Sequence, residues 1–149
     1  MDINACIARL TRKDTKSAYT LTQQIAAESR ESAAWYSYFD RFAELLHHKN
    51  SLVRNRAISI LAANACWDTA GKFNVLLDEF LSHVTDSKPI TARQCVAVLP
   101  EIAAAKPELL PRIRSALKQA DLSGYPDSMR PLVLKDIVAV LQKMDGTEP

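Results

Sequence analysis

The sequence repeats itself about every 36 to 38 residues, and each repeat holds two helical patterns. When the sequence is aligned with itself at a shift of about 38 residues, four apolar residues in the first helix of one repeat align with four in the next. Trp35, Phe39, Phe42 and Leu46 align with Phe73, Leu77, Phe80 and Val84. Shifts of about 36 extend this set to Leu109, Ile113, Ala116 and Ala120, and back to Ile3, Cys6 and Leu10. In the second helix, Ala57, Ile58 and Leu61 match Cys95, Val96 and Leu99, and then Val133, Leu134 and Ile137. A lone helical hairpin cannot bury its apolar face, so the repeat predicts a stack of four hairpins sharing one core.

Apolar residues recur at spacings of three and four along the chain, and no segment alternates as a strand does. Turn residues such as Asp, Asn, Ser, Gly and Pro divide this pattern into eight predicted helices. Their predicted ranges are 2–11, 15–29, 34–47, 51–65, 71–84, 89–105, 107–119 and 127–144. We group them into a single domain, 1–149, with approximate hairpins 1–30, 34–66, 70–105 and 107–144.

The second hairpin carries a signature at its turn. Its first helix ends in apolar residues, and its second begins Val53-Arg54-Asn55-Arg56-Ala57 and continues to Leu61. This stretch resembles the HEAT repeat of armadillo-type proteins, in which the second helix begins Val-Arg-x-x-Ala-x-x-x-Leu. The third hairpin departs from it, and the chain as a whole is similar to small stand-alone bacterial HEAT-like proteins. The resemblance implies an all-α fold, a right-handed αα superhelix (solenoid) of about four HEAT-like hairpins.

Composition excludes several function classes. Only three glycines are present, so the sequence has no phosphate-binding loop of the GxGxxG or GxxxxGK[ST] type. The net charge of +2 is far from the strongly basic balance of a dedicated nucleic-acid binder. The N-terminus has no signal-peptide pattern, and no apolar run reaches the length of about 18 residues needed for a membrane span. We therefore expect a cytoplasmic protein with no membrane segment.

The cysteines and histidines predict neither a cofactor nor a metal. Three cysteines, Cys6, Cys66 and Cys95, fit neither a disulfide framework nor a CxxC clip, so we predict reduced thiols. Some small HEAT-like proteins carry a label linking them to iron–sulphur cluster assembly, but these cysteines lack cluster spacing. Three histidines fall near predicted helix C-termini, where the helix dipole favours them: His47, His48 and His83.

No group of residues has the spacing of a catalytic triad or of paired catalytic carboxylates. The pair Trp67-Asp68 places an Asp beside an aromatic residue, which is what the resemblance to HEAT-like DNA glycosylases would require. The chain is short for that family. We predict that the protein is not an enzyme.

Basic residues gather where the second helix of each hairpin begins. In a stack they would form either a stripe that binds a partner or an internal ladder of Arg–Asp pairs, and both interpretations stay open. Arg54 flanks the apolar face and fits the ladder, whereas Arg56, about 200° further round the helix, is expected to face solvent. Tyr36 and Trp67 lie off the core face and are candidate contacts, although a Trp folded back over a helix end is the commoner arrangement.

The candidate binding surface comprises Lys49, Arg56, Arg93, Arg130, Lys135, Tyr36 and Trp67. We expect a non-enzymatic module whose concave face, lined mainly by the even-numbered helices, binds a protein or acidic peptide. One alternative is a nucleic-acid binder related to the helical-repeat DNA glycosylases. The other is a structural protein that assembles end to end, and the oligomeric state stays open.

Overall fold

A computed structural model describes residues 2–146. Its α-helices are α1 (Ile3–Leu10), α2 (Thr15–Glu31), α3 (Phe39–Glu44), α4 (Ser51–Ala63), α5 (Lys72–Leu81), α6 (Pro89–Ala105), α7 (Leu110–Lys118) and α8 (Arg130–Met144). Short 3-10 segments adjoin them at 33–38, 45–47, 65–67, 82–85 and 107–109. No strand occurs within residues 2–146. The predicted all-α class and all eight predicted helices are confirmed.

The helices begin at residues whose side chains or backbone suit a helix start. The Asp2 carboxylate accepts a hydrogen bond from the N–H of Asn4 at 2.7 Å, and the Asn50 amide oxygen accepts one from the N–H of Leu52 at 2.9 Å. These bonds satisfy N–H groups that have no partner inside the helix. Gly71 precedes α5 with a φ of 77°, a left-handed conformation that a Cβ atom disfavours.

Two predicted helices differ from the observed ones in extent. The range 34–47 begins as a 3-10 segment, Ala33–Tyr38, and becomes α-helical only at Phe39. That segment is rich in aromatic residues, which lose side-chain freedom in an α-helix. Helix α8 begins at Arg130 rather than at 127, with Pro131 in its first turn, where the missing N–H of proline has no cost.

The even-numbered helices contact one another in chain order. Helix α2 packs on α4, α4 on α6 and α6 on α8, while α1, α3 and α7 each pack on the helix that follows them. A single core cluster extends from Cys6 to Val140. Four predicted core positions are 0% exposed: Phe42, Leu61, Phe80 and Leu99. The predicted burial of these four residues is therefore confirmed.

Five residues that the repeat assigns to the core are only partly buried or are exposed: Ile3, Trp35, Ala116, Ala120 and Leu134. Leu134 is 53% exposed, although Ile58 and Val96, which occupy the same repeat position, are 0% exposed. The reason is its location, because α8 is the last of the described helices and no later one within residues 2–146 covers it. Trp35 is half-buried, with its indole N–H donating to the Glu28 carboxylate at 3.0 Å.

The cysteines are free thiols, as predicted. Cys6 and Cys95 lie in the core, and Cys66 is exposed beyond the end of α4. Burial raises the pKa of the Cys6 and Cys95 thiols, so both stay protonated. Within the described residues, none of the helices combines the length and the apolar character that crossing a bilayer would demand.

Candidate functional site

Asp86, in the turn between α5 and α6, is the centre of a buried group that we call the Asp86 hub: Asp86, Arg54, His83 and Tyr125. Arg54 donates to both carboxylate oxygens, from Nη2 at 2.7 Å and from Nε at 2.9 Å. His83 Nδ1 lies 2.7 Å from Asp86 Oδ2, and the Tyr125 hydroxyl donates to the Asp86 carbonyl oxygen at 2.6 Å. Arg54 belongs to α4 and Tyr125 precedes α8, so the hub joins three successive predicted hairpins.

The ion pair at the centre of the Asp86 hub is buried. The side chains of Arg54 and Asp86 are only 11% and 3% exposed. Burial raises the pKa of Asp86, but hydrogen bonds from Arg54, the Lys88 N–H and His83 outweigh burial, so the pKa lies below its usual value. Burial and the Asp86 charge raise the pKa of Tyr125 to about 12. Arg54 therefore has the internal pairing that the ladder interpretation predicts.

Asp68, between α4 and α5, is the centre of a second group, the Asp68 hub: Asp68, Tyr36 and Lys106. Lys106 Nζ donates to Oδ2 at 2.7 Å and to the Asp68 carbonyl oxygen at 3.0 Å. The Tyr36 hydroxyl donates to Oδ1 at 2.5 Å. The backbone N–H groups of Lys72 and Phe73 complete the set at 2.9 and 2.7 Å and begin α5. Both carboxylate oxygens are therefore fully engaged.

Asp68 is the residue that the alternative of a DNA-glycosylase relative would require at its site. Burial raises the pKa of Asp68, but the hydrogen bonds from Lys106, Tyr36 and the two N–H groups outweigh burial and bring the pKa below its usual value. The Asp68 side chain is 0% exposed. In this structure the Asp68 carboxylate is out of solvent, and all four of its hydrogen bonds come from groups of the chain itself.

Tyr36 and Trp67, predicted as exposed contacts, are both half-buried. Tyr36 belongs to the Asp68 hub, and its pKa is raised by burial and by the Asp68 carboxylate. The Trp67 indole N–H donates to the Ser29 carbonyl oxygen at 2.5 Å, near the end of α2. Trp67 is thus folded back over a helix end, the arrangement that the sequence analysis gave as the commoner one. Neither residue projects fully into solvent.

Arg56 was expected to face solvent, and that expectation is wrong. The residue is 7% exposed. Its Nη1 donates to the carbonyl oxygens of Leu10 at 2.8 Å and Arg12 at 3.3 Å. These carbonyls lie at the C-terminal end of α1, where the helix dipole favours a positive charge. Angular position on α4 alone could not reveal this, because the face of α4 that carries Arg56 is covered by the end of α1.

The other predicted basic residues differ in their partners and in their exposure. Arg93 is half-buried and pairs with Asp136 of α8 at 2.6 Å. Arg130 donates to the Tyr125 carbonyl oxygen at 2.8 Å and pairs with Asp127 at 2.9 Å. Lys49, in the turn before α4, and Lys135, on α8, are the two fully exposed residues of the predicted set.

A cleft of about 280 Å³ opens between α2, α4 and α6. We call it the Arg56 cleft, because the Arg56 side chain lies in its wall. Its other polar lining includes the amides of Gln23, Asn55 and Gln94, and no Asp or Glu lines it. The Asn55 Oδ1 atom is buried and has no hydrogen-bond partner among the described residues.

Apolar side chains flank the polar lining of the Arg56 cleft. Tyr19 of α2 and Leu52 of α4 line it and are 62% and 43% exposed. Ile90 of α6, which is 67% exposed, lines an adjoining depression between α6 and α8. The Gln94 side chain lines both and donates to the Ser59 hydroxyl at 2.7 Å. Together they form a groove that crosses the even-numbered helices.

Sequence reasoning missed the groove, although the repeat contained a signal for it. Leu52 and Ile90 are about 38 residues apart, and so are Arg56 and Gln94. Each pair therefore occupies one repeat position on successive even-numbered helices. Residues that share one repeat position outside the core set can lie on one surface, and superposing the repeats would have brought these two pairs together.

The histidines have partners other than a metal. His47 pairs with Glu79, the His48 Nδ1 atom accepts a hydrogen bond from the Asn50 N–H at 3.0 Å, and His83 belongs to the Asp86 hub. No cluster of three or more His, Cys, Asp or Glu side chains that could hold a metal ion occurs among residues 2–146.

In comparisons with known proteins, no family model, no curated protein and no solved structure matches this chain.

Proposed function

We propose that the chain is a right-handed superhelix of four HEAT-like hairpins whose concave face, formed by α2, α4, α6 and α8, binds a segment of another protein. In this proposal the protein is a cytoplasmic, non-enzymatic binding module. The contacts of the even-numbered helices in chain order support the superhelix. The equal burial of Ile58 and Val96, which share a repeat position, supports repeating hairpins.

The observation that carries the proposal is the Arg56 cleft with its apolar flanks. Side-chain amides both donate and accept hydrogen bonds, so the amides of Gln23, Asn55 and Gln94 suit the alternating N–H and C=O groups of an extended peptide. The exposed side chains of Leu52 and Ile90 provide apolar contacts beside them. A groove that crosses several repeats suits an extended segment better than a small molecule.

The charge distribution favours a protein partner over a nucleic acid. Nucleic-acid binding depends on basic side chains that are free to neutralise phosphates. Arg54 and Arg93 are paired with carboxylates, and Arg130 is bonded to a backbone carbonyl and to Asp127. The free thiols suit a reducing compartment, which supports the cytoplasmic part of the proposal.

The test compares the double variant Leu52→Asp, Ile90→Asp with Val75→Asp as a matched control. Val75 is 88% exposed on α5, outside the groove. Each immobilised protein captures partners from a native cell extract, with quantification by mass spectrometry, after circular dichroism has verified folding. We expect the wild type and Val75→Asp to capture the same protein in similar amounts. The double variant should capture at least about tenfold less of it.

Equal capture by the double variant would contradict the proposed groove. Capture that disappears after nuclease treatment and falls steeply with salt would instead support the nucleic-acid alternative, because each neutralised phosphate releases counterions.

A second candidate function, self-assembly, is favoured by one observation on α8. Leu134 and Val138 are 53% and 46% exposed and, with Pro131, line a shallow apolar depression. In a stack of hairpins, this is the face that a further helix would cover. Light scattering distinguishes the two candidates. A mass well above the 16.6 kDa of the chain that falls to 16.6 kDa in Leu134→Lys would support assembly through α8.

A further inference from the structure

Arg56 is a buried charge without a counter-ion. It is 7% exposed, and none of the ion pairs among the described residues includes it. Burial lowers the pKa of its guanidinium, and no neighbouring carboxylate offsets the effect. The carbonyl oxygens of Leu10 and Arg12 bind Nη1, but they carry only partial negative charge. A buried charge that is not compensated is costly, so its persistence calls for an explanation.

The open edge of Arg56 is the edge that other arginines of this protein use to bind carboxylates. Arg54 binds Asp86 through Nε and Nη2, and Arg93 binds Asp136 through the same two atoms. In Arg56, Nε and Nη2 have no hydrogen-bond partner among the described residues, and the side chain lies in the wall of the cleft. Two parallel N–H groups match the two oxygens of a carboxylate.

We propose that the Nε–Nη2 edge of Arg56 binds a carboxylate of the partner segment within the Arg56 cleft. This inference rests on the proposed function and adds the chemical class of the group that is recognised. The carboxylate is either an Asp or Glu side chain or the C-terminus of the partner. This carboxylate would supply the missing counter-ion of Arg56. The cleft is lined by amides and hydroxyls and by no acidic residue, so no negative charge in its wall would repel the carboxylate.

The charge of the site favours a carboxylate over a phosphate monoester. The cleft wall offers one guanidinium and otherwise neutral groups, which balances a single negative charge, whereas a phosphate monoester carries nearly two at pH 7. Nearby, the turn whose carbonyl binds Arg56 also carries the exposed side chains of Arg12 and Lys13. Their charges would attract an acidic segment toward the cleft.

The test uses three hexapeptides as probes. The first is acetyl-(Ala-Glu)3-amide, the second is its neutral counterpart with Gln in place of Glu, and the third is the Gln peptide with a free C-terminal carboxylate. Each is titrated into 15N-labelled protein while NMR follows the Arg56 Nε–H resonance and the backbone amides of α2, α4 and α6. We expect the Arg56 resonance to shift with the first peptide, the third or both, which identifies the source of the carboxylate, and not with the second.

The outcomes separate this inference from the proposed function. If all three peptides shift the groove amides equally while the Arg56 resonance stays unchanged, the groove binds peptide and the carboxylate inference is wrong. If sodium acetate shifts the Arg56 resonance while every peptide leaves the groove amides unchanged, the carboxylate site stands and the peptide-binding function is wrong. A larger shift with oligothymidylate than with any peptide would overturn both.

Truncating Arg56 would also release the end of α1, so the decisive variant places a carboxylate in the cleft instead. Gln94→Glu is nearly isosteric and adds a negative charge to the wall of the cleft. Gln119→Glu is the matched control, because Gln119 is exposed on another surface and also donates to a serine hydroxyl, that of Ser115. We expect Gln94→Glu to weaken binding of the Glu hexapeptide at least about tenfold and Gln119→Glu to leave it within about twofold. Equal affinities would overturn the inference.

Discussion

The two hubs and the Arg56 cleft use the same kinds of side chain in opposite ways. In the hubs, every carboxylate oxygen has a donor: Asp86 binds Arg54 and Asp68 binds Lys106, both out of solvent. In the cleft, Arg56 is as buried as Arg54 and Lys106 but has no carboxylate partner among the described residues. Pairing completed within the chain contributes to stability. We propose that the incomplete pairing of Arg56 at the wall of the cleft is a site for another molecule.

The partners in the hubs are far apart in the sequence. Asp68 lies just before the third predicted hairpin, and Lys106, 38 residues later, lies just after it. Tyr125 and Asp86 are 39 residues apart and lie in successive predicted hairpins. The Asp86 hub therefore connects neighbouring hairpins, and the Asp68 hub connects the two ends of the third hairpin to Tyr36 of the second. In the proposed superhelix, the hydrogen bonds and ion pairs of the two hubs would hold the even-numbered helices in the arrangement that forms the groove.

The largest expected effect is that of Asp68→Ala. The substitution leaves Lys106, whose side chain is 7% exposed, as an unpaired buried charge and removes the start of α5. We expect a loss of about 4–5 kcal/mol in the free energy of unfolding, measured with urea. Asp78→Ala is the control, because the Asp78 side chain is 89% exposed in its pair with Arg112, and it should change stability by no more than about 0.5 kcal/mol. Equal losses in the free energy of unfolding for the two variants would show that the Asp68 hub stabilises the fold no more than an exposed ion pair does.

Arg54→Ala should have the next largest effect. It removes the bidentate partner of Asp86 but leaves the hydrogen bonds from the Lys88 N–H and His83. We therefore expect a loss of about 3 kcal/mol by the same measurement. The double variant Arg54→Ala, Asp86→Ala closes a thermodynamic cycle with the single variants. Additive losses in that cycle would contradict direct coupling between the two side chains.

Acid should weaken both hubs. The pKa values of Asp68 and Asp86 are lower in the folded chain than in the unfolded one. Each carboxylate therefore stabilises the fold fully above the unfolded-state pKa of about 4, and this contribution is lost as the pH falls through the folded-state pKa. Stability should decline below about pH 4, by at most about 1.4 kcal/mol per pH unit for each group. The decline should be shallower in Asp86→Asn, compared by urea unfolding at a series of pH values, and an unchanged slope would contradict the prediction.

The smallest effect is expected for Arg93→Ala. Its pair with Asp136 uses the same guanidinium edge as Arg54, but the Arg93 side chain is 41% exposed. Solvent screens such pairs, so the melting temperature should stay within about 2 °C of the wild type. A large drop would mean that the pairing edge rather than burial determines the contribution of an arginine in this protein.

The periodicity of the sequence was sufficient to predict the eight helices to within a few residues and most of the core, because apolar periodicity reports directly on burial. It also placed Arg54 correctly, since Arg54 borders the apolar face of its own helix. The position of Arg56 was not predictable in this way. Its burial depends on the end of α1, about 45 residues earlier in the chain, and the angular position of a residue on one helix carries no information about such a neighbour.

The hubs were partly predictable. Asp68 and Lys106 occupy equivalent repeat positions, so superposing the repeats brings them together, but nothing in the sequence distinguishes that pair from charges on a solvated surface. Tyr36 was assigned to solvent because it lies off the apolar face. Its hydroxyl nevertheless reaches Asp68 in the connection between α4 and α5, a contact that only the packing of the helices determines.

The most direct test of this comparison is the exchange rate of the arginine Nε–H protons with water, measured by NMR on the free protein and with the Glu hexapeptide. The Arg54 Nε–H, bonded to Asp86 at 2.9 Å, should exchange slowly in both states. The Arg56 Nε–H should exchange much faster in the free protein and slow at least about tenfold when the peptide is bound. Slow exchange of Arg56 in the free protein, unchanged by the peptide, would contradict the account, because its open edge would then already be paired within the chain.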